Sequence, residues 1–182
     1  MRRKSLFIGA VVLLILVSGG YWAHLNRGDK TIEGAIEKTG RRGGEVIYQE
    51  KVNGGVVVFT KRITGNTNTI DAGYVKKGLL GWKWIWGGGF SSYSGQYFQA
   101  VSGTPFPMLI GDISNEQIAA VKITDTEHKN SKEAKIVGND NDRVWFTFLD
   151  KSDGPAFEIE ILSDVGKVLD TKHINVRINT NF

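Results

Sequence analysis

Asn53-Gly54-Gly55 lies between two runs of β-forming residues, Val46-Ile47-Tyr48 and Val56-Val57-Val58-Phe59. An Asn-Gly pair admits the positive φ that both central positions of a tight hairpin turn require, so this triplet commits its neighbours to antiparallel pairing. The punctuation then recurs. Thr64-Gly65-Asn66 turns into Ile70–Lys76, and Lys77-Gly78 with Gly81 bounds a turn before the strand Trp82–Trp86. In the second half Lys135-Ile136-Val137 leads through Gly138–Asp142 to Val144–Leu149, then through 151–154 to Phe157–Leu162, and through 163–166 to Lys167–Thr171. Phe157, Ile159 and Ile161 alternate with Glu158 and Glu160, the period of a strand with one wet face. The order echoes residues 45–86 and raises the expectation of two meander repeats, although any antiparallel sheet gives a similar pattern.

Helical signals are few. In TIEGAIEKTG, Thr31 is a helix N-cap, Ile32, Ala35 and Ile36 share a face, and Gly40 stops the helix. Ser114–Gln117 (SNEQ) matches a capping box and predicts a short helical turn to Ala120. Residues 91–107, with two prolines near their end, read as extended chain, Val121–Thr124 as a strand, residues 127–132 as a solvated loop, and His173–Asn179 as an edge strand. The fold class that follows is α+β: predominantly antiparallel β-sheet with one or two short helices, preceded by an N-terminal membrane helix.

That helix is expected over residues 1–25, followed by a polar tether at 26–30 and a single extracytoplasmic β-rich domain at 31–182. Arg2-Arg3-Lys4 precedes an apolar run from Leu6 to Val17, which Ser18-Gly19-Gly20 interrupts and Tyr21 to Leu25 extends. The short count suits a secretory signal cleaved after Gly19 or Gly20; the long count suits a retained signal-anchor with Tyr21 and Trp22 at the interface. In both, the leading cations stay inside and the rest of the chain faces outward. Those three cations also account for most of the formal charge of +4, leaving the remainder nearly neutral, and a nucleic-acid partner is not expected.

Signatures of chemistry are sparse. The absence of cysteine removes disulfides, thiolate nucleophiles, thiolate-bound metals and lipoprotein anchoring. His24, His128 and His173 stand apart with no metal-ligand spacing, and His128 reads as solvated. There is no Gly-x-Ser-x-Gly elbow, Gly87-Gly88-Gly89 lacks the Lys-Ser/Thr of a phosphate loop, and Asp140-Asn141-Asp142 lacks the further ligands of a calcium loop. Glu158 and Glu160 read as the wet face of a strand rather than a glycosidase pair. No catalytic residue, metal site or cofactor is therefore assigned.

The aromatic block is the one conspicuous feature left. Trp82, Trp84, Trp86, Phe90, Tyr93, Tyr97 and Phe98 fall within seventeen positions. On a regular strand the three tryptophans point to one side, with repeats of about 7 Å. Such a row is a core face or a platform for stacked sugar rings, and Trp82, Trp84, Trp86, Phe90, Tyr93 and Tyr97 are the candidate ligand contacts.

The segments VIYQEKVNGGVVVFTKR, YVKKGLLGWKWIWGGG, TPFPMLIGDI and VWFTFLDKSDGPAFEIEIL, in this order behind an N-terminal apolar segment, resemble an uncharacterised family of small membrane-anchored extracytoplasmic proteins of Bacillus-type Gram-positive bacteria. The resemblance covers most of residues 31–172. It implies location at the cell membrane and a single domain, and it brings no activity and no functional residues. The expectation is a non-catalytic binding or interaction module of the cell envelope, with an envelope protein as partner. The alternatives are a cell-wall glycan-binding module using the aromatic row, and a hydrolase whose site is unrecognised.

Overall fold

A computed structural model describes residues 2–25, 27–41, 44–64, 67–90, 95–139, 142–150 and 152–176, with the backbone alone for residues 2–11, 25, 64, 67 and 68. Expectations for Arg42-Gly43, Gly65-Asn66, Tyr93, Asp140-Asn141 and the end of the chain from Arg177 lie outside the described residues. Helix α1 spans Arg2–Leu25 and α2 spans Ile32–Glu37. Strands follow as β1 (Glu45–Val52), β2 (Gly55–Thr64), β3 (Thr67–Gly78), β4 (Gly81–Phe90), β5 (Gln96–Phe98), β6 (Met108–Ile113), β7 (Ile118–Asp125), β8 (Ser131–Glu133), β9 (Lys135–Val137), β10 (Arg143–Phe148), β11 (Ala156–Ser163) and β12 (Val168–Asn175). The protein is thus mostly antiparallel β-sheet with two helices. Among the described residues no helix is long and apolar enough to cross a membrane.

The strands form three four-stranded sheets, ordered β1-β2-β3-β4, β5-β6-β10-β9 and β12-β11-β7-β8. The middle sheet is packed on both faces. Met108, Ile110, Val144 and Phe146 point to the first sheet, where they meet Val57, Phe59, Ala72 and Tyr74. Their neighbours Leu109 and Trp145 point to the third sheet and meet Val121, Ile123, Phe157 and Ile159. The outer face of the first sheet is covered by α2, whose Ala35 and Ile36 pack on Val56, Val58 and Val75. The layers run helix, sheet, sheet, sheet, each joined by an apolar seam.

Polar ties close the margins of the seams. Lys135 Nζ reaches Glu50 Oε2 (2.6 Å) and the Tyr48 hydroxyl (2.9 Å), joining the first sheet to the second. Burial raises the Glu50 carboxyl, and its bonds from Lys135 and Tyr48 more than reverse that, so it titrates below the ordinary range. Arg143 donates to the Ile118 carbonyl, and Lys132 to Asp153 and the Phe148 carbonyl, joining the second sheet to the third.

The hairpin at Asn53-Gly54 forms as its sequence dictates, with Gly54 at φ 77°. Thr31 caps α2 by accepting the Gly34 N–H, and Gly40 leaves it at φ 82°. Three expectations are corrected. The first four strands are a meander, but the second half is not its copy: β9 and β10 pair in the middle sheet while β11 and β12 pair in the third. SNEQ opens no helix. Asn115 Oδ1 accepts the Gln117 N–H in a local turn, and Ile118 is already in β7, opposite β11. Val168–Asn175 is one continuous edge strand rather than two segments.

Candidate functional site

Strand β4 departs from regular alternation at Ile85. Trp84 lies opposite Val75 and Trp86 opposite Tyr74, so Ile85 is an extra residue with no counterpart in β3. A bulge of this kind reverses the parity of everything beyond it. Trp82 and Trp84 therefore face α2 with Val75, while Trp86 faces the middle sheet with Tyr74. The expectation that the three tryptophans share one side is corrected: the row holds two indoles, and the third is on the opposite face.

Each indole has its own surroundings. Trp86 packs edge-on against Phe98 (5.4 Å between centroids) and Phe106 (5.3 Å). Trp84 is covered by the Arg41 guanidinium at 4.7 Å from its ring centroid, and Arg41 also donates to the Gly87 carbonyl (3.2 Å). Lys77 lies over Trp82 at 5.5 Å. Phe90 is buried between the first two sheets, packed against Phe98, and offers no face to a ligand. Tyr97 is half-buried and packs in the seam between the second and third sheets, where burial raises its phenol. Tyr93 lies outside the described residues. Of the five described candidate contacts, only Trp82 and Trp84 lie on the outer face of the first sheet.

The glycines after the tryptophans now have a physical account. A Cβ at Gly87 would run into the Ala72 carbonyl and the Trp84 ring, so Gly87 lets the indole lie over the sheet. Gly89 sits close to Thr69 and Asp71, whereas Gly88 has open space. Tyr48, Phe59 and Phe146 continue the aromatic seam on the inner side.

The segment expected to be a polar tether is stitched, at Gly28 and Asp29, to the β3–β4 turn and β4. Gly28 N–H donates to the Leu80 carbonyl (2.9 Å), and Asp29 exchanges two backbone hydrogen bonds with Trp82 (2.7 Å each). Side chains at Gly28 or Gly81 would prevent this approach, because each lies against the other's backbone. The stitch sets the β3–β4 turn beside the last turns of α1. There Trp22, Leu79, Leu80 and Ile85 line a shallow concavity of about 240 Å³. Strand alternation carries no sign of this place, although two leucines between glycines in a hairpin turn are a signal in themselves, since turns are ordinarily polar.

A polar constellation that the sequence pattern did not mark lies at the end of β7. Asp125, at the end of β7, is 2% exposed and accepts four hydrogen bonds: from Gly154 N–H (2.7 Å), Glu127 N–H (2.9 Å), His128 N–H (3.2 Å) and the His128 ring at Nδ1 (2.7 Å). Burial pushes this carboxyl up, but the donors prevail and hold it well below the usual carboxylate range. His128 is raised in turn, chiefly by its hydrogen bond to Asp125. The histidine expected to be free in solvent is thus fixed on one side, with the rest of its ring in water. The signal was Asp-x-x-His at the mouth of a hairpin, a spacing that lets one carboxylate take both backbone and ring.

The remaining charged groups settle locally. Glu160 pairs with Lys122 (2.8 Å) and Glu158 lies 3.8 Å from His173, as suits a wet strand face. Among the described residues no group of acidic or histidine side chains could hold a metal ion. Comparison with protein families, with curated proteins and with solved structures finds no match to this chain.

Proposed function

We propose that the chain is a membrane-anchored extracytoplasmic protein whose β-rich domain is a non-catalytic interaction module of the cell envelope. The observation that carries the anchoring is the state of α1. Val12, Leu13, Leu14, Ile15, Leu16 and Val17 are consecutive and all exposed, so every side of the helix there is apolar and uncovered by protein. A helix stretch apolar all round belongs in a core or in lipid, and among the described residues nothing covers residues 12–17. Its 24 residues of helical backbone correspond to about 36 Å, beyond the roughly 30 Å of hydrocarbon in a bilayer; the described side chains, 12–24, are too short a stretch to span by themselves, and the proposed span takes in the apolar Leu6–Val11 of the sequence. Arg2, Arg3 and Lys4 at its start favour retention inside, with the β domain outside. The non-catalytic part of the reading is supported by the use of the polar side chains: Asp125, Asp142, Glu50 and Arg62 each hold one part of the fold to another.

The freedom from cysteine makes the test direct. A single Val165→Cys variant places a thiol in the exposed β11–β12 turn. Intact cells are treated with a membrane-impermeant maleimide, and their membranes are washed with carbonate. The expected result is labelling without permeabilisation and retention in the washed membrane. Recovery in the soluble fraction, or labelling only after permeabilisation, would overturn the reading.

One arrangement favours a second reading, hydrolysis: a buried carboxylate on Nδ1 of a half-exposed histidine is the orienting half of a nucleophilic triad. Among the described residues no hydroxyl is bonded to the other ring nitrogen of His128. If this reading held, His128→Ala would abolish turnover of a panel of ester and amide substrates; the interaction module predicts no turnover to lose.

A further inference from the structure

The tip of the β3–β4 hairpin exposes two adjacent leucines where a turn would ordinarily be polar. Leu79 is fully exposed and Leu80 is 41% exposed, with Gly78 and Gly81 on either side. Lys76 and Lys83 line the concavity beside them, Lys77 precedes the tip in the chain, and Arg27 and Lys30 flank Gly28 and Asp29, whose backbone is bonded to the hairpin. Asp29, beside the hairpin, is engaged by Lys38 at 3.0 Å. The result is an apolar point in a cationic collar. That pattern suits insertion among anionic lipid headgroups: the leucines enter the acyl boundary while the lysines stay at the phosphates.

The position of the tip selects the occupant. The Leu80 carbonyl is bonded to the N–H of Gly28, only three residues beyond the end of α1 at Leu25. Three residues of chain span at most about 10 Å, so the tip cannot leave the surface that α1 enters. Trp22, 62% exposed, lines the same concavity as Leu79 and Leu80, and an indole at that depth belongs to the headgroup layer.

We propose that the Leu79-Leu80 tip is a second membrane contact, seated in the outer headgroup layer and selective for anionic phospholipid. It would hold the three-sheet stack upright on the bilayer instead of leaving it to swing from α1. This rests on attachment through α1, and the test separates the two.

Single-cysteine variants Ile15→Cys, Leu79→Cys and Val165→Cys of the full chain are labelled with an environment-sensitive fluorophore. They are reconstituted in vesicles of phosphatidylcholine with phosphatidylglycerol, and in phosphatidylcholine alone, with and without lipids carrying a nitroxide, shallow for the labels at 79 and 165 and near the bilayer centre for the label at 15. Leu79 makes no packing contact that its replacement would lose, and an unchanged circular dichroism spectrum checks the fold. The expected result is a blue-shifted label at 79, quenched several-fold more than at 165 in anionic vesicles. Changing Lys76 and Lys77 to Gln should lower that quenching several-fold, and so should omitting the anionic lipid. If the label at 15 is quenched while that at 79 behaves like 165, the tip does not touch lipid and this proposal alone falls. If the label at 79 is blue-shifted but unquenched, a second protein copy covers the tip, and the proposal is again overturned. If the protein does not float with the vesicles and the label at 15 is unquenched, attachment through α1 fails and this contact falls with it.

Discussion

The indole of Trp84 occupies the space in which a Cβ on Gly73 would stand. Gly73 lies in β3, opposite Gly87 of β4, so the ring crosses a patch of bare backbone on two adjacent strands, and Arg41 closes over it from outside. Trp145 repeats the device in the middle sheet, where it lies over Gly111, its partner in β6. In both places a glycine that would weaken a strand is covered by an aromatic ring from the next strand.

Gly73→Ala should therefore destabilise the protein by about 1–3 kcal/mol, the usual range for overpacking a filled site, because both the strand backbone and the ring are confined. For a domain of this size that corresponds to roughly 2–4 °C in Tm per kcal/mol. Gly88→Ala, with open space around it, should change stability by no more than about 0.5 kcal/mol. Thermal unfolding of the two variants side by side checks this. Equal effects would mean that the Trp84 ring does not lie where the structure has it.

How far the sequence could be read depended on how many faces of each strand are buried. Strand β11, with one wet face, showed its alternation in Phe157, Ile159 and Ile161, and the structure buries those three residues. Strand β6 gave no such pattern and was not recognised as a strand. Met108, Leu109 and Ile110 are buried on alternate faces of a sheet covered on both sides, so the run is uniformly apolar and has no period. The bulge at Ile85 was equally hidden, since parity is set by the register with β3 and not by β4 itself. The candidate site suffered most from this, because one unseen extra residue sends Trp86 to the other side of the sheet.

Arg41 both stacks on Trp84 and ties to Gly87, so its removal should uncover the outer indole without disturbing the core. Arg41→Ala is expected to cost about 0.5–1 kcal/mol, and to raise the fraction of tryptophan emission that acrylamide quenches. Arg41→Lys should recover little of the loss, because a compact ammonium cannot stack on the ring and reach the Gly87 carbonyl with a planar fork. An unchanged quenching curve in Arg41→Ala would refute the stacked arrangement.

Asp112 presents the opposite electrostatic case. Its Oδ1 is buried with no hydrogen-bond partner among the described residues, and burial raises its carboxyl above the ordinary range. A raised acid opposes folding while it is ionised, and the penalty disappears as pH falls and the proton binds. Asp112→Asn should consequently raise Tm at pH 7, with a gain that shrinks toward pH 4. A gain that stayed constant across that range would show that the charge is not its cause.

The Asp125–His128 pair gives stability a pH optimum whose two limbs belong to different groups. Asp125 is held below its unfolded value of about 3.9, so its contribution is present above that pH and is lost as pH falls further toward its folded value. His128 is raised above its unfolded value of about 6.5, so its contribution is complete below that pH and is lost as pH rises through the folded value. Both contributions are present together between roughly pH 4 and 6.5. His128→Ala should flatten the alkaline limb and leave the acid limb, since the backbone donors of Gly154 and Glu127 still stabilise the carboxylate. Asp125→Ala should remove the alkaline limb, reduce the acid limb to the share that Glu50 supplies, and cost on the order of 2–4 kcal/mol at pH 6, because the buried Gly154 N–H and its neighbours lose their acceptor. Tm measured from pH 3 to 9 for the three proteins checks this, with the His128 ring protons followed by NMR. An alkaline limb that survives in His128→Ala would assign it to another group.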